Sequence, residues 1–461
     1  MQEIPRVARF RGLDFYPVLA DRLRVFRPKT FELGRVELRE LMRRSREVVL
    51  LAAITGILTG LAVRGFDYVV ESLYHRVVHA PLWLTVVTPA AGLVVSALIL
   101  RYVGNGASSA TSDEYLRAYH DHAYRLRPRF VAARTMAAIA TLGSGGALGL
   151  EGPSLYGGAA LGRFIQERLP RPFRGSDHRI LLVAGAAAGV AAIFKAPATG
   201  AIFALEVPYR DELGRRMLLP ALVASASGYL TFVMLSSTTP LLGVGRFTIR
   251  EFDLRDLAGA LIVGVVCAIG ARTFARMMKI AKRYTNGPMF PRVAVSAFGL
   301  MALVLISRQL TVSQGLTDIP LSIGAGYEVF RDLLLVESDI AIWVLMCLFV
   351  IRTLASALTT TGSGVGGLFI PLVVAGGITG LGIGEIVHHN RAQMYTLLGV
   401  AAFLGAGYRV PLAAVMFVAE TTGKPNFVVP ALLAAVAADL VMGSHSITAF
   451  QRRPGDVDHH E

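Results

Sequence analysis

Charge is scarce in this sequence. Only 17% of its 461 residues are Asp, Glu, Lys or Arg, against about 25% in typical soluble domains, while 54% are hydrophobic. That balance excludes an ordinary soluble protein and reads as an all-α polytopic membrane protein. Cysteine is scarcer still. Cys267 and Cys347 are too few for a disulfide framework or a thiolate metal site, and both lie inside apolar runs, where they are expected as buried thiols. Alternating strands of the outer-membrane barrel type are also missing, which leaves helices to cross the bilayer. No Ser/His, paired-Asp or His-Glu-x-x-His arrangement lies on an apolar run, so an intramembrane enzyme is not expected, and nothing in the sequence calls for a cofactor.

What the chain does have is long apolar stretches. Residues 48–63, 81–100, 217–235, 257–271, 294–306 and 340–351 each approach the roughly 20 residues that span a bilayer as a helix. The net charge of +14 is unevenly placed, with 12 of the 46 Lys and Arg within residues 1–46. Such a cluster before a first span predicts a cytoplasmic amino-terminal segment, and no aromatic-interleaved basic module suggests nucleic acid. That segment has no uninterrupted apolar core of signal-peptide type. His75 and His79 have the i, i+4 spacing of a metal pair, but no third ligand stands near them, so no metal site is expected.

The sequence repeats itself. Arg134-Thr135 matches Arg352-Thr353, and "GLEGP" at 149–153 matches "GLFIP" at 367–371, at an offset of 218 (352 − 134). Further on, Gly185, Pro197, Phe203 and Glu206 match Gly399, Pro411, Phe417 and Glu420, at an offset of 214 (420 − 206). The expected organisation is a basic segment 1–46, membrane repeats 47–240 and 256–452, and a short polar tail 453–461. Duplications of this kind in membrane proteins point to transport through a midplane site made by broken helices.

Glu151 is the single charge in "LGSGGALGLEGPSLYGGAALG". A carboxylate at the bilayer centre costs about 2.5 to 3.5 kcal/mol on insertion scales, so it needs a partner or a task. Glycines followed by Pro153 predict a helix starting here, its free amides and positive dipole end exposed. "GSGVGGLFIP" predicts a second such start. In "VGNGASSATSDEY" a third is expected, with Asn105, Ser108 or Ser109 as cap and the amides of Gly104 and Gly106 accessible. Converging amide ends can hold a small anion without a full positive charge. Glu151 is then either a tethered competitor for that anion or simply a buried helix cap.

These segments resemble the CLC family of chloride channels and proton/chloride exchangers, of the bacterial type without CBS domains, across residues 45–450. "GLEGP" is similar to the family's G-x-E-G-P segment and "GLFIP" to its G-x-F-x-P segment. "FKAPATGAIFALE" and "VPLAAVMFVAETTG" resemble its two further Pro and Glu segments. The resemblance implies a CLC-type fold of two inverted repeats with broken, tilted helices, and a homodimer in a bacterial inner membrane in which each subunit has its own anion path. It implies Glu151 as the gate and an anion site around Gly149, Leu150, Gly152, Gly367, Leu368, Phe369 and Ile370.

Three departures accompany the match. "GNGAS" puts Asn105 where the family has a serine lining the central site. "HSITAF" puts Thr448 where a tyrosine closes its inner side. Val207 stands where proton-coupled members often carry a second, relaying glutamate. The expected function is therefore chloride conduction, channel-like or weakly coupled, with proton-coupled chloride or fluoride exchange as the alternative. Glu206 and Glu420, being repeat mates, are expected to cap or pair within the fold.

Overall fold

The computed structural model describes residues 35–169, 177–210, 214, 217–242, 252–315, 319–330, 340–423 and 427–452, with side chains from 46 onward. Most of the basic segment 1–46 and the whole tail 453–461 lie outside the described residues. The chain divides into two compact units, Met1–Val48 and Val49–Glu461, and apart from the first residues of α1 the elements described below belong to the second.

Among the described residues there are fifteen α-helices: α1 (Arg35–Val78), α2 (Leu82–Leu98), α3 (Thr111–His120), α4 (Pro128–Gly143), α5 (Glu151–Arg168), α6 (Arg179–Phe194), α7 (Pro197–Glu206), α8 (Leu218–Met234), α9 (Leu254–Tyr284), α10 (Met289–Ser313), α11 (Ile342–Thr361), α12 (Phe369–Val387), α13 (Ala392–Tyr408), α14 (Pro411–Thr422) and α15 (Val428–Met442). Six have the length and apolarity to cross a membrane: α1, α2 with its π-helical extension to Val103, α9, α10, α11 and α12. The glycine-rich run that forms α12 did not read as a span, because glycines interrupt its apolar stretch. The run 217–235 forms α8, a helix of 17 residues. α7 and α14, with 10 and 12 residues, reach about 15 and 18 Å at 1.5 Å per residue, against a hydrocarbon core of about 30 Å. A helix that short must end inside the membrane domain.

The repeat seen in the sequence is a repeat of packing. α5 crosses α6 at glycines: a Cβ on Gly158 would lie 2.2 Å from the Gly185 carbonyl oxygen, and one on Gly162 1.9 Å from that of Leu181. In the second half α12 crosses α13 through the mates of those residues. There a Cβ on Gly376 would meet the Gly399 oxygen at 2.5 Å, and one on Gly380 the Tyr395 oxygen at 2.1 Å. Small residues let backbones touch, which in lipid replaces hydrophobic burial as the source of helix association. The turns repeat as well. α6 ends on Lys195 and α13 on Arg409, both left-handed with φ of 54° and 58°.

The halves are joined through mates. Gly149 and Gly367 form an antiparallel bridge, exchanging N–H···O bonds of 2.8 and 2.7 Å, and a residue that pairs with its own mate lies on the symmetry axis. Around it, the Val365 amide donates to Thr141 Oγ1 at 3.1 Å and the Ala147 amide to Thr359 Oγ1 at 3.3 Å.

Cys267 is buried, as expected, but Cys347 is exposed on α11. An apolar run in a membrane protein has a lipid face as well as a protein face, and the sequence alone does not say which one a given thiol takes. His75 and His79 stack with ring centroids 4.1 Å apart, and no group of metal-ligating side chains exists among the described residues.

The α5–α6 contact supplies a test. Gly158→Ala places a methyl against backbone and is expected to destabilise the detergent-solubilised protein by about 3 kcal/mol or more. Gly157, one residue away, faces open space, so Gly157→Ala should be neutral or gain up to about 1 kcal/mol from helix propensity. Equal thermal midpoints for the two variants would refute the packing account.

Candidate functional site

Three helices begin around one point: α3 at Thr111, α5 at Glu151 and α12 at Phe369. The last two starts are where the glycine and proline spacing puts them, and a Cβ on Gly152 would lie 2.6 Å from Thr111 Oγ1 and 2.9 Å from Gly367 Cα. Glu151 sits in the middle with only 2% of its surface exposed. Its Oε1 accepts a hydrogen bond from the Phe369 amide at 2.6 Å, and the amides of Ile370 and of Glu151 itself face the same carboxylate. Its Oε2 is buried without a protein partner.

The cradle exists because two residues have no side chain. A Cβ on Gly149 would stand 1.9 Å from Oε2, and one on Gly367 2.0 Å from Oε1. Leu150 and Leu368 precede the two helices, and their carbonyls accept from Ser154 and Leu372, in the first turn of each helix. Gly149, Leu150, Glu151, Gly152, Gly367, Leu368, Phe369 and Ile370 are therefore brought together.

Phe369 is ringed by aromatics from both halves. Phe194 and Phe417 lie 4.5 and 4.8 Å from it, Phe203 and Tyr408 5.3 and 6.3 Å, centroid to centroid. These are two pairs of mates, Phe203 with Phe417 and Phe194 with Tyr408 (408 − 194 = 214). Only the Tyr408 ring carries a hydroxyl, which lies against Ser112 and the Leu368 backbone.

A cavity of about 300 Å³ opens beyond Tyr408 and Leu368, lined among others by Ser112, Thr448, Arg117 and Lys282. Asp113 and Lys282 shape it. Lys282 Nζ pairs with Asp113 Oδ2 at 2.7 Å and donates to the Ile447 carbonyl at 3.2 Å, while Asp113 Oδ1 accepts from the Ala449 amide at 3.2 Å. These contacts hold segment 447–449, and with it Thr448, at the cavity wall. Thr448 itself is buried, with Oγ1 2.9 Å from Ser446 Oγ.

Asn105 is not brought to this place. It is exposed, in a turn with φ of 48°, a conformation that asparagine tolerates better than most residues. α3 starts six residues later, after Ala110, with no side-chain cap, although Ser108 Oγ accepts from the Ala110 amide at 3.2 Å. Nor are the nearby glycine amides free: Gly104 donates to Ile99 and Gly106 to Leu100, each at 2.9 Å. Beside Glu151, the α3 segment supplies Thr111, whose buried hydroxyl has no partner. Thr111, Tyr408 and Lys282 were not singled out from the sequence. Tyr408 had a signal, since "YRVP" aligns with "FKAP" in the repeat and makes it the mate of Phe194.

Glu206 and Glu420 cap each other's helices. Glu206 accepts from the Leu412 and Ala413 amides at 3.3 and 2.9 Å at the start of α14. Glu420 accepts from Ala198 and Thr199 at 2.9 and 2.7 Å at the start of α7. Val207, next to Glu206, is buried, and its carbonyl accepts from Gln451 at 3.0 Å.

A membrane domain of paired broken helices, with a carboxylate seated among their amino termini, defines a transport protein for small anions. Residues 91–443 match the family of voltage gated chloride channels, and the chain belongs to this CLC family. Solved structures share the fold of two inverted repeats. A CLC-type fluoride/proton antiporter is similar at 20% identity and a TM-score of 0.75, over 92% of this chain and 100% of that one. A slow cyanobacterial Cl⁻/H⁺ antiporter is similar at 19% and 0.72, over 86% and 94%, and a eukaryotic CLC transporter at 20% and 0.67, over 88% and 72%.

The glycine cradle makes its own prediction. Gly367→Ala is expected to push the Glu151 carboxylate off the Phe369 amide, and Gly149→Ala to press on its other oxygen. A structure of Gly367→Ala in which Oε1 still meets that amide at hydrogen-bond distance would disprove the cradle.

Proposed function

We propose that this protein passes chloride or another small anion down its gradient through a path gated by Glu151, as a homodimer with one path per subunit, in a bacterial inner membrane. The observation that carries the reading is the carboxylate itself, an anion already seated on the Phe369 amide between Gly149 and Gly367. A carboxylate held there competes with a permeating anion, and protonation or displacement vacates the place. The amides of Phe369 and Ile370, with the backbone of Gly149, Leu150, Gly152, Gly367 and Leu368, then face the anion. No full positive charge sits among them, which lets an anion bind and still leave. Lys282 at the cavity wall is paired with Asp113 and Arg117 with Glu114, so the wall there is charged in both signs. Thr448 and Tyr408 bound the path on that side, Tyr408 supplying the hydroxyl.

Passive flow is preferred because Val207 gives no titratable group, and because Glu206 spends both its oxygens on the amides of α14. Proton-coupled exchange of chloride or fluoride is the second reading, favoured by the overall likeness to two antiporters. Its proton would have to reach Glu151 by water.

Glu151→Ala in liposomes is expected to conduct at least as fast as the wild type and with a flattened dependence on pH. Abolished flux in a correctly folded dimer would make Glu151 a structural cap instead. The zero-current potential should follow the anion gradient and ignore an imposed pH difference, and a reproducible shift with pH in proton-tight vesicles would establish exchange. Tyr408→Phe should change the ratio of chloride to nitrate or fluoride permeation, whereas Asn105→Ser should leave it unchanged. The opposite pattern would return Asn105 to the path.

A further inference from the structure

Two cavities meet at the turn between α9 and α10. The first, about 490 Å³, is polar, with Arg101, Ser109, Thr285, Asn286 and Arg292 in its wall. The second, about 610 Å³, is an apolar groove walled by Ile280, Val295, Leu354 and Leu358. Its rim faces outward, Ile280 being 52% and Val295 65% exposed. Gly287, Pro288 and Arg292 belong to both walls. Arg292 stands where they join: its Nη1 donates to the Thr361 carbonyl at 2.9 Å, and its Nε is buried with no partner. Among the described residues no carboxylate lines either space.

The surroundings fix the chemistry of the occupant. An outward groove whose wall is apolar apart from Tyr284, Arg292 and Thr361 is filled by hydrocarbon in a bilayer, and a polar cavity whose described wall carries two guanidinium groups and no carboxylate attracts an anion. The last turns of α9 also carry Arg276, Lys279 and Arg283, the basic clustering of a membrane surface where anionic lipid is recognised. Guanidinium matches phosphate geometry better than an ammonium does. We propose that the two spaces form one site for an anionic phospholipid, its phosphate held between Arg101 and Arg292 and one acyl chain lying in the groove. The polar cavity shares Ser109, Thr285 and Asn286 with the cavity that leads to Tyr408, so the bound headgroup borders the anion path.

Native mass spectrometry of the full-length protein, taken from nanodiscs of mixed phosphatidylglycerol and phosphatidylcholine, tests this. The wild type should retain phosphatidylglycerol in preference. Arg101→Gln and Arg292→Gln should each lower that preference about fivefold. Should Arg292→Gln fail to fold, the exposed Arg101 carries the charge test alone. Ala357→Trp, which fills the groove and leaves both arginines, should lose the retained lipid. Equal retention of the two lipids by the wild type, or an unchanged preference in the arginine variants, would overturn the proposal. So would displacement of the lipid by inorganic phosphate alone, or undiminished retention in Ala357→Trp, since either would show that the acyl groove contributes nothing. Retention of a second protein in place of lipid at this face would overturn it too.

Discussion

Hydrocarbon cannot hydrogen-bond, and this structure is organised around that fact. Every helix that starts inside the membrane domain leaves up to four amides with no intrahelical acceptor, and an unmet amide there costs several kcal/mol. In this chain the acceptors come from the other repeat. Glu206 closes the start of α14 and Glu420 the start of α7, Thr141 and Thr359 each receive an amide of the opposite half, and Gly149 pairs with Gly367. Each half thus closes several broken ends of the other, so the pairing of the two repeats is part of what holds the fold together.

The chemistry is concentrated where mates differ. Glu151 and Phe369 occupy equivalent positions (369 − 151 = 218), yet one is a carboxylate and the other a ring, and the amide of the second binds the side chain of the first. A charge-assisted bond of this kind contributes about 1.5 to 3 kcal/mol, comparable to the cost of placing the carboxylate there. The two nearly balance, so the carboxylate is seated there at little net cost. Phe194 and Tyr408 repeat the theme, since the same packing position carries a hydroxyl on one side of the axis only.

Arg134 and Arg352 show how mates diverge while keeping a mechanical task. Arg134 holds the Ser108 carbonyl at 2.8 Å and pairs with Glu114 at 3.0 Å, which anchors the approach to α3. Arg352 spreads its guanidinium over the carbonyls of Leu321, Ile323, Gly324 and Ala325. A guanidinium carries five donors in a fixed fork, so a single buried side chain can gather a loop that lacks a regular ladder.

Much of this was legible in order and spacing. Membrane solvent, five of the six helical spans, the duplication and the isolation of Glu151 are local or periodic properties that the sequence displays, whereas α12 went unread and the run 217–235 gives only the 17-residue α8. The starts of α5 and α12 were legible too, because glycine and proline act on their own backbone. The third start does fall within 103–115, at Thr111, but which residues surround it was not legible, since a turn that needs a left-handed residue also selects asparagine, and Asn105 meets that need rather than facing Glu151. Cys347 likewise sits in an apolar run whose exposed face no composition reveals. Tyr408, Thr111 and Lys282 reach the site from helices far apart in the chain, and which of them converge depends on how α3, α9 and α13 pack. By itself the sequence determined what each segment is, through hydropathy and backbone preference acting over a few residues. Only the tertiary structure decided which ends meet, because an unpaired amide inside lipid is satisfied by whichever group the opposite repeat brings within hydrogen-bond distance.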